Sequence, residues 1–182
     1  LAVELDPAGF SLVLFDPAEL RAVVERTCEQ LGMADLDVRV EVDETTPLGR
    51  AKVASVDPVV LSIESGALED PKRPRKLSPQ SAADVIGRLL MRVRDRRDPA
   101  FGDPPPDEEL DLALSVAWDV YCTGRLARLG YTPQRKRRLY HFRNRHGFTD
   151  TADAAFDRLW TAEQLSWQEI VDLSRGAVAV EA

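Results

Sequence analysis

The sequence predicts an α+β fold: a small mixed sheet of three to four strands packed on helices, followed by a helical C-terminal half. Three observations predict it. Strand-type patterns crowd into the first 65 residues, with one helix-type segment among them. From residue 66 onward the apolar residues recur mainly at helical spacing. The length of 182 residues and a hydrophobic content of 44% suit one globular domain with a sizeable core. The expectation is a single domain over 1–182, with a β-α-β-β-β part at 1–65 and a helical part at 66–182.

FSLVLF (10–15) reads as a short strand. A helix follows, opened by Asp16 as N-cap, Pro17 at its first position and Glu19 at N3, an Asp version of the capping box. Leu20, Val23, Val24, Cys28 and Leu31 recur at helical spacing, and Gly32 ends the run. DVRVEVDE (37–44) alternates strictly, which puts Val38, Val40 and Val42 on one face and charges on the other. KVASV (52–56) and VVLSIE (59–64) are two further strands, with Asp57-Pro58 as the turn between them.

PKRPRKL reads as a basic loop broken by proline. Ser78 then caps a helix over 79–97, with Pro79 at its first position. Val85, Ile86, Leu89, Leu90 and Val93 are its core face, and Asp84, Arg88, Arg92 and Asp95 its wet face. DPAFGDPPPD (98–107) cannot be helical. The next helix, about 108–129, is apolar on nearly every side and so is expected to be the central one. A shorter helix covers about 151–160. The last runs from Ser166, with Glu169 completing a capping box, to Gly176. LSWQEIVDLS resembles the opening of a helix-turn-helix unit, but the tail GAVAVEA leaves no room for a recognition helix.

Strand, helix, two or three strands, a basic loop, an amphipathic helix and a second helix: this order resembles the small zincin-like fold of metallopeptidases. VVLSIESGALED resembles the edge strand and short turn before that family's zinc helix. There, His-Glu-x-x-His places two imidazoles on one helix face, where both reach a zinc ion while the Glu activates its water. Laid on this chain, the motif falls on Asp84-Val85-Ile86-Gly87-Arg88. The Ile-Gly filler and the following Leu-Leu agree with many members, but all three chemical positions differ. Val85 cannot act as a general base. Arg88 cannot ligate a cation and repels one. The resemblance, over residues 10–130, therefore implies the fold and argues against the activity, with no metal and no cofactor expected.

Two readings of the altered motif stand side by side. Asp84 and Arg88 form an ion pair that holds together the walls of a former metal site, or they are part of a solvated charge stripe worth about 0.2–0.5 kcal/mol per pair. Asp119 lies inside an apolar run, where a carboxylate needs a partner. It is read either as pointing into the old cleft or as pairing locally. His141 and His146, even with Asp111 and Asp119, make a poor metal site amid so many cations.

The net charge of −7 is unevenly spread, in blocks that mark either an anion-binding surface or two halves of one fold that neutralise each other. Lys72, Arg73, Arg75 and Lys76 form one basic segment, and Arg135, Lys136, Arg137, Arg138, Arg143 and Arg145 a second. The second interleaves with Tyr140, His141 and Phe142, a composition suited to single-stranded nucleic acid. The bland alternative is that Tyr140, Phe142 and Phe148 anchor the segment while its arginines reach outwards. No apolar run is long enough to cross a membrane. The start lacks signal-peptide features, though without a Met a removed leader stays open. Cys28 and Cys122 read as buried reduced thiols, so a cytoplasmic location is expected. The expected role is binding or scaffolding with a protein partner, with nucleic-acid association second and an enzyme of another chemistry third.

Overall fold

Val38, Val40 and Val42 are buried and the residues between them half-exposed, so DVRVEVDE folds as the half-buried strand it predicts, β2 (Val38–Asp43). The computed structural model describes residues 1–178; the last four residues of the GAVAVEA tail lie outside the described residues. β2 pairs in parallel with β1 (Val3–Asp6) on one side and with β4 (Val59–Glu64) on the other. β3 (Ala51–Val56) closes the sheet as an antiparallel hairpin partner of β4, giving the order β1-β2-β4-β3. One register row crosses all four strands: Leu5, Val40, Leu61 and Val53, each buried. Each such side chain contributes about 1.5–3 kcal/mol of transfer free energy. The charges on the other face are also organised, since Arg39 of β2 pairs with Glu4, Asp6 and Glu41.

The first strand is not where the pattern puts it. FSLVLF alternates in burial, with Val13 and Phe15 inside and Leu12 and Leu14 outside, but forms no strand. Its backbone is satisfied elsewhere. The Ser11, Leu12 and Val13 N–H groups all donate to Glu44 Oε1, and the Leu14 N–H donates to the Arg75 carbonyl. The true first strand, VELD, is too short to announce itself.

α1 (Pro17–Gln30) has the predicted bounds, with the Ala18 N–H rather than that of residue 19 donating to Asp16. It ends in a Schellman motif. The Gly32 N–H donates to the Glu29 carbonyl and the Met33 N–H to that of Cys28, with Gly32 at φ 71°. α1 packs on β1 and on α2 (Pro79–Arg97). A tight turn after β4 brings Gly66 against the Pro47 and Leu48 carbonyls, where no Cβ fits. PKRPRKL is not a loop. It supplies β6 (Arg73–Leu77), paired antiparallel with β5 (Glu69–Asp70) in a two-stranded sheet, where a free edge tolerates Pro74. The helical half therefore carries a hairpin before its first helix.

The chain divides into two compact units, Leu1–Arg97 and Asp98–Ala182, so the hairpin and α2 go with the sheet. In the second unit DPAFGDPPPD is irregular, as expected, and its Phe101 ring stacks on Trp118 at 5.4 Å. The helix expected from residue 108 begins at Leu112. Asp107–Glu109 form a 3-10 turn, and Asp111 caps α3 (Leu112–Arg128) by accepting the Leu114 N–H. α3 packs against three others: α4 (Arg135–His146), α5 (Asp150–Thr161) and α6 (Trp167–Ala177). The central position expected for it holds. α6 opens with the predicted Ser166–Glu169 capping box. The fold is α+β, with a four-stranded mixed sheet and six α-helices among the described residues. None of those helices is long and apolar enough to cross a membrane.

Candidate functional site

α2 carries the altered motif. Val85, Ile86, Leu89, Leu90 and Val93 are buried, as its periodicity requires. Opposite them the expected wet face is only partly wet. Arg92 is 4% exposed and Asp95 5%, so two of its four members are inside the protein. A helix on a surface exposes such a stripe; α2 is enclosed over most of its circumference, Met91 and Gly87 included. The fully solvated reading of the stripe is therefore overturned for Arg92 and Asp95. Asp84 and Arg88 keep an intermediate position. Their side chains are 28% and 16% exposed, and the Arg88 Nε lies 3.4 Å from Asp84 Oδ2. The structure thus brings these two residues together in the acid-first i,i+4 order.

The segment before α2 differs in detail from the expectation. VVLSIE is an interior strand, paired on both sides, and the sheet's antiparallel edge is β3. An edge strand does precede the helix, one strand earlier than its sequence suggests. α2 packs on that edge strand as well as on α1.

The other sequence-selected residues are accounted for one by one. Asp119 is half-buried on α3, and its backbone carbonyl accepts the Thr123 hydroxyl at 2.6 Å. Asp111 serves as the cap of α3. His146 is buried and both its nitrogens are engaged. Nδ1 donates to the Phe142 carbonyl at 3.0 Å, which leaves Nε2 to accept the Ser174 hydroxyl at 2.8 Å. Burial, the largest influence, pushes its pKa below the ordinary value. His141 is exposed. Among the described residues no group of three or more His, Cys, Asp or Glu side chains is placed to hold a metal ion.

The basic segments lie on two different elements. Lys72, Arg73, Arg75 and Lys76 are all exposed on the β5–β6 hairpin. Arg135 to Arg145 lie on α4, a helix whose apolar residues are too few to show a period in the sequence. Its inner face is Leu139, Phe142 and His146, with the Phe142 and His146 rings stacked at 3.9 Å. Two of its arginines bind α5: Arg143 makes a two-point contact with Asp153 at 2.8 and 2.7 Å, and Arg135 reaches Asp157 at 2.6 Å. Of the three aromatic residues read as anchors only Phe142 is buried. Tyr140 is 57% exposed and Phe148 66%. The outward position of Tyr140 follows from the phase of α4, whereas Phe148 lies beyond that helix's C-cap, Gly147.

No family model matches the sequence, and neither a curated protein nor a solved structure matches it.

Proposed function

We propose that the chain is a non-catalytic, zincin-like protein, a pseudo-metallopeptidase that acts as a binding or scaffolding module for a protein partner. The observation that carries this reading is the Asp84–Arg88 pair, half-buried on α2 where the family's two zinc-binding histidines would stand. A guanidinium in that place excludes a dication by charge and supplies the internal counter-ion the carboxylate needs. The pair lies between two known regimes. An exposed i,i+4 pair is worth about 0.2–0.5 kcal/mol, while removing one partner of a buried pair costs about 3–5 kcal/mol. Further support comes from the element order, with an antiparallel edge strand preceding a helix that packs on it.

The test restores the lost chemistry. Asp84→His with Arg88→His leaves buried Val85 alone and puts two imidazoles at i and i+4. Zinc, but not magnesium, is expected to raise the thermal midpoint of this double variant and to leave the parent unaffected. A folded double variant whose midpoint ignores zinc would count against the alignment. Stoichiometric zinc in the purified parent protein would overturn the reading outright.

A further inference from the structure

The outer face of α4 is built for contact. Lys136, Arg137, Tyr140, His141, Asn144 and Arg145 are exposed on it, while the exposed Arg135 lies to one side and pairs with Asp157. At about 3.6 residues per turn they occupy one continuous half of the helix circumference. Phe148 follows directly after Gly147, the C-cap at φ 112°, and its ring stands edge-on to Tyr140 at 6.4 Å. The Arg143 guanidinium lies 6.0 Å from the Phe148 ring. Two large rings, one on the helix and one just beyond its C-cap, are thus held in water among cations, and the helix is already anchored by its other face. Folding does not need them there.

We propose that this face binds single-stranded nucleic acid, with Lys136, Arg137 and Arg145 on phosphates and Tyr140 and Phe148 stacked on bases. The charge argument comes first. Residues 131–148 contain six Lys and Arg and no Asp or Glu. Arg135 and Arg143 are neutralised by Asp157 and Asp153. Lys136, Arg137 and Arg145 make no ion pair among the described residues. Salt screens beyond about 10 Å at 0.1 M, so the net charge of the whole chain does not cancel a local cluster.

The rings choose between kinds of polyanion. In a duplex the base faces already stack on one another, and exposed rings gain nothing there. A single strand offers those faces, and each base–ring stack strengthens binding regardless of sequence. An anionic membrane is the other polyanion, but helices that lie on membranes bury a broad aliphatic face. The exposed half of α4 has no aliphatic residue. The inference does not depend on the role proposed for α2.

The experiment measures anisotropy of labelled dT and U oligomers of about 15 nucleotides, long enough to span the helix. Binding of both is expected, weakening about 20-fold between about 50 and about 200 mM salt, as three phosphate contacts require. Tyr140→Leu with Phe148→Leu keeps apolar area but removes the rings. It is expected to weaken binding at least about fivefold with the salt slope unchanged. Lys136→Gln with Arg137→Gln and Arg145→Gln should flatten the slope, and circular dichroism checks that each variant is folded. Four results each overturn the proposal: no oligomer binding at low salt, a duplex of equal length bound as tightly, ring variants that bind like the parent, or phosphatidylserine vesicles bound in preference to oligomers.

Discussion

His146 shows how much one side chain can decide. It joins α4 to α6 through the Ser174 hydroxyl and lies flat on Phe142 one turn back. An imidazole in an unfolded chain titrates near 6.5. Burial pushes His146 below that, against the opposing pulls of the Phe142 carbonyl and the Asp111 carboxylate. The native state therefore holds this proton less tightly than the unfolded chain does. Stability from His146 is complete above the unfolded value and is lost as pH falls from about 6.5 through the lower folded one. The thermal midpoint is expected to drop from about pH 7.5 to about pH 5.5. His146→Phe should remove that slope while costing about 1–3 kcal/mol, because the Ser174 hydroxyl loses its acceptor. A variant that kept the slope would place its source in another group. Carboxylates occupy a separate window. Asp153 is held low first by its bond from Arg143, and Asp43 by its bonds from Thr45. Their contributions are present above the usual carboxylate values near 3.8 and fade only as pH falls below them. Asp84 and Arg88 were legible as a pair from their spacing alone. That Arg92 and Asp95 lie inside was not, because helical phase says which residues share a face and not what covers that face.

At the scale of elements, helices opened by a first-position proline or a capping box were legible at their starts, while α3, capped by Asp111 alone, begins four residues later than expected and the uncapped α4 was not legible. α1, α2 and α6 carry an Asp or Ser cap, a first-position proline or a full capping box, and each falls within a residue of its predicted start. α4 has no side-chain cap and one apolar residue fully inside, Phe142, so its sequence reads as a charge run. The strand expected at 10–15 failed for a different reason. Its alternation is genuine, but Glu44 takes the N–H groups a neighbouring strand would have taken, so no strand forms there. Helix–helix approach is equally invisible in the sequence. Gly124 of α3 faces the Trp160 carbonyl of α5 so closely that a Cβ has no room. In an exposed helix Gly→Ala stabilises by about 0.5–1 kcal/mol. Here Gly124→Ala is expected to destabilise by about 2 kcal/mol or more, since the helices must part. The opposite signs make denaturant melts of this variant decisive: a gain in stability would mean that α3 and α5 do not approach in this way.

For the whole molecule, the two thiols report on the two units. Cys28 is buried in Leu1–Arg97 and Cys122 in Asp98–Ala182. Burial foremost pushes the Cys28 pKa up to about 11. At about pH 8 that leaves roughly one thiol in a thousand ionised, and the thiolate is the reactive form. Neither cysteine is expected to react with an aromatic disulfide reagent in the native protein, and both should react fully in denaturant. Rapid labelling of Cys28 under native conditions would show that the packing of α1 is opened by solvent. The α+β class, the strands β2, β3 and β4, the starts of α1, α2 and α6 and the lack of any histidine at 84–88 are legible in the sequence. These are local properties, written in periodicity, caps and side-chain type. The tertiary structure alone decided the strand order, the burial of Arg92 and Asp95, the engagement of both His146 nitrogens and the exposure of Tyr140 and Phe148. Each depends on which surfaces meet, and residues far apart in the chain meet through long-range packing that no short window of sequence records.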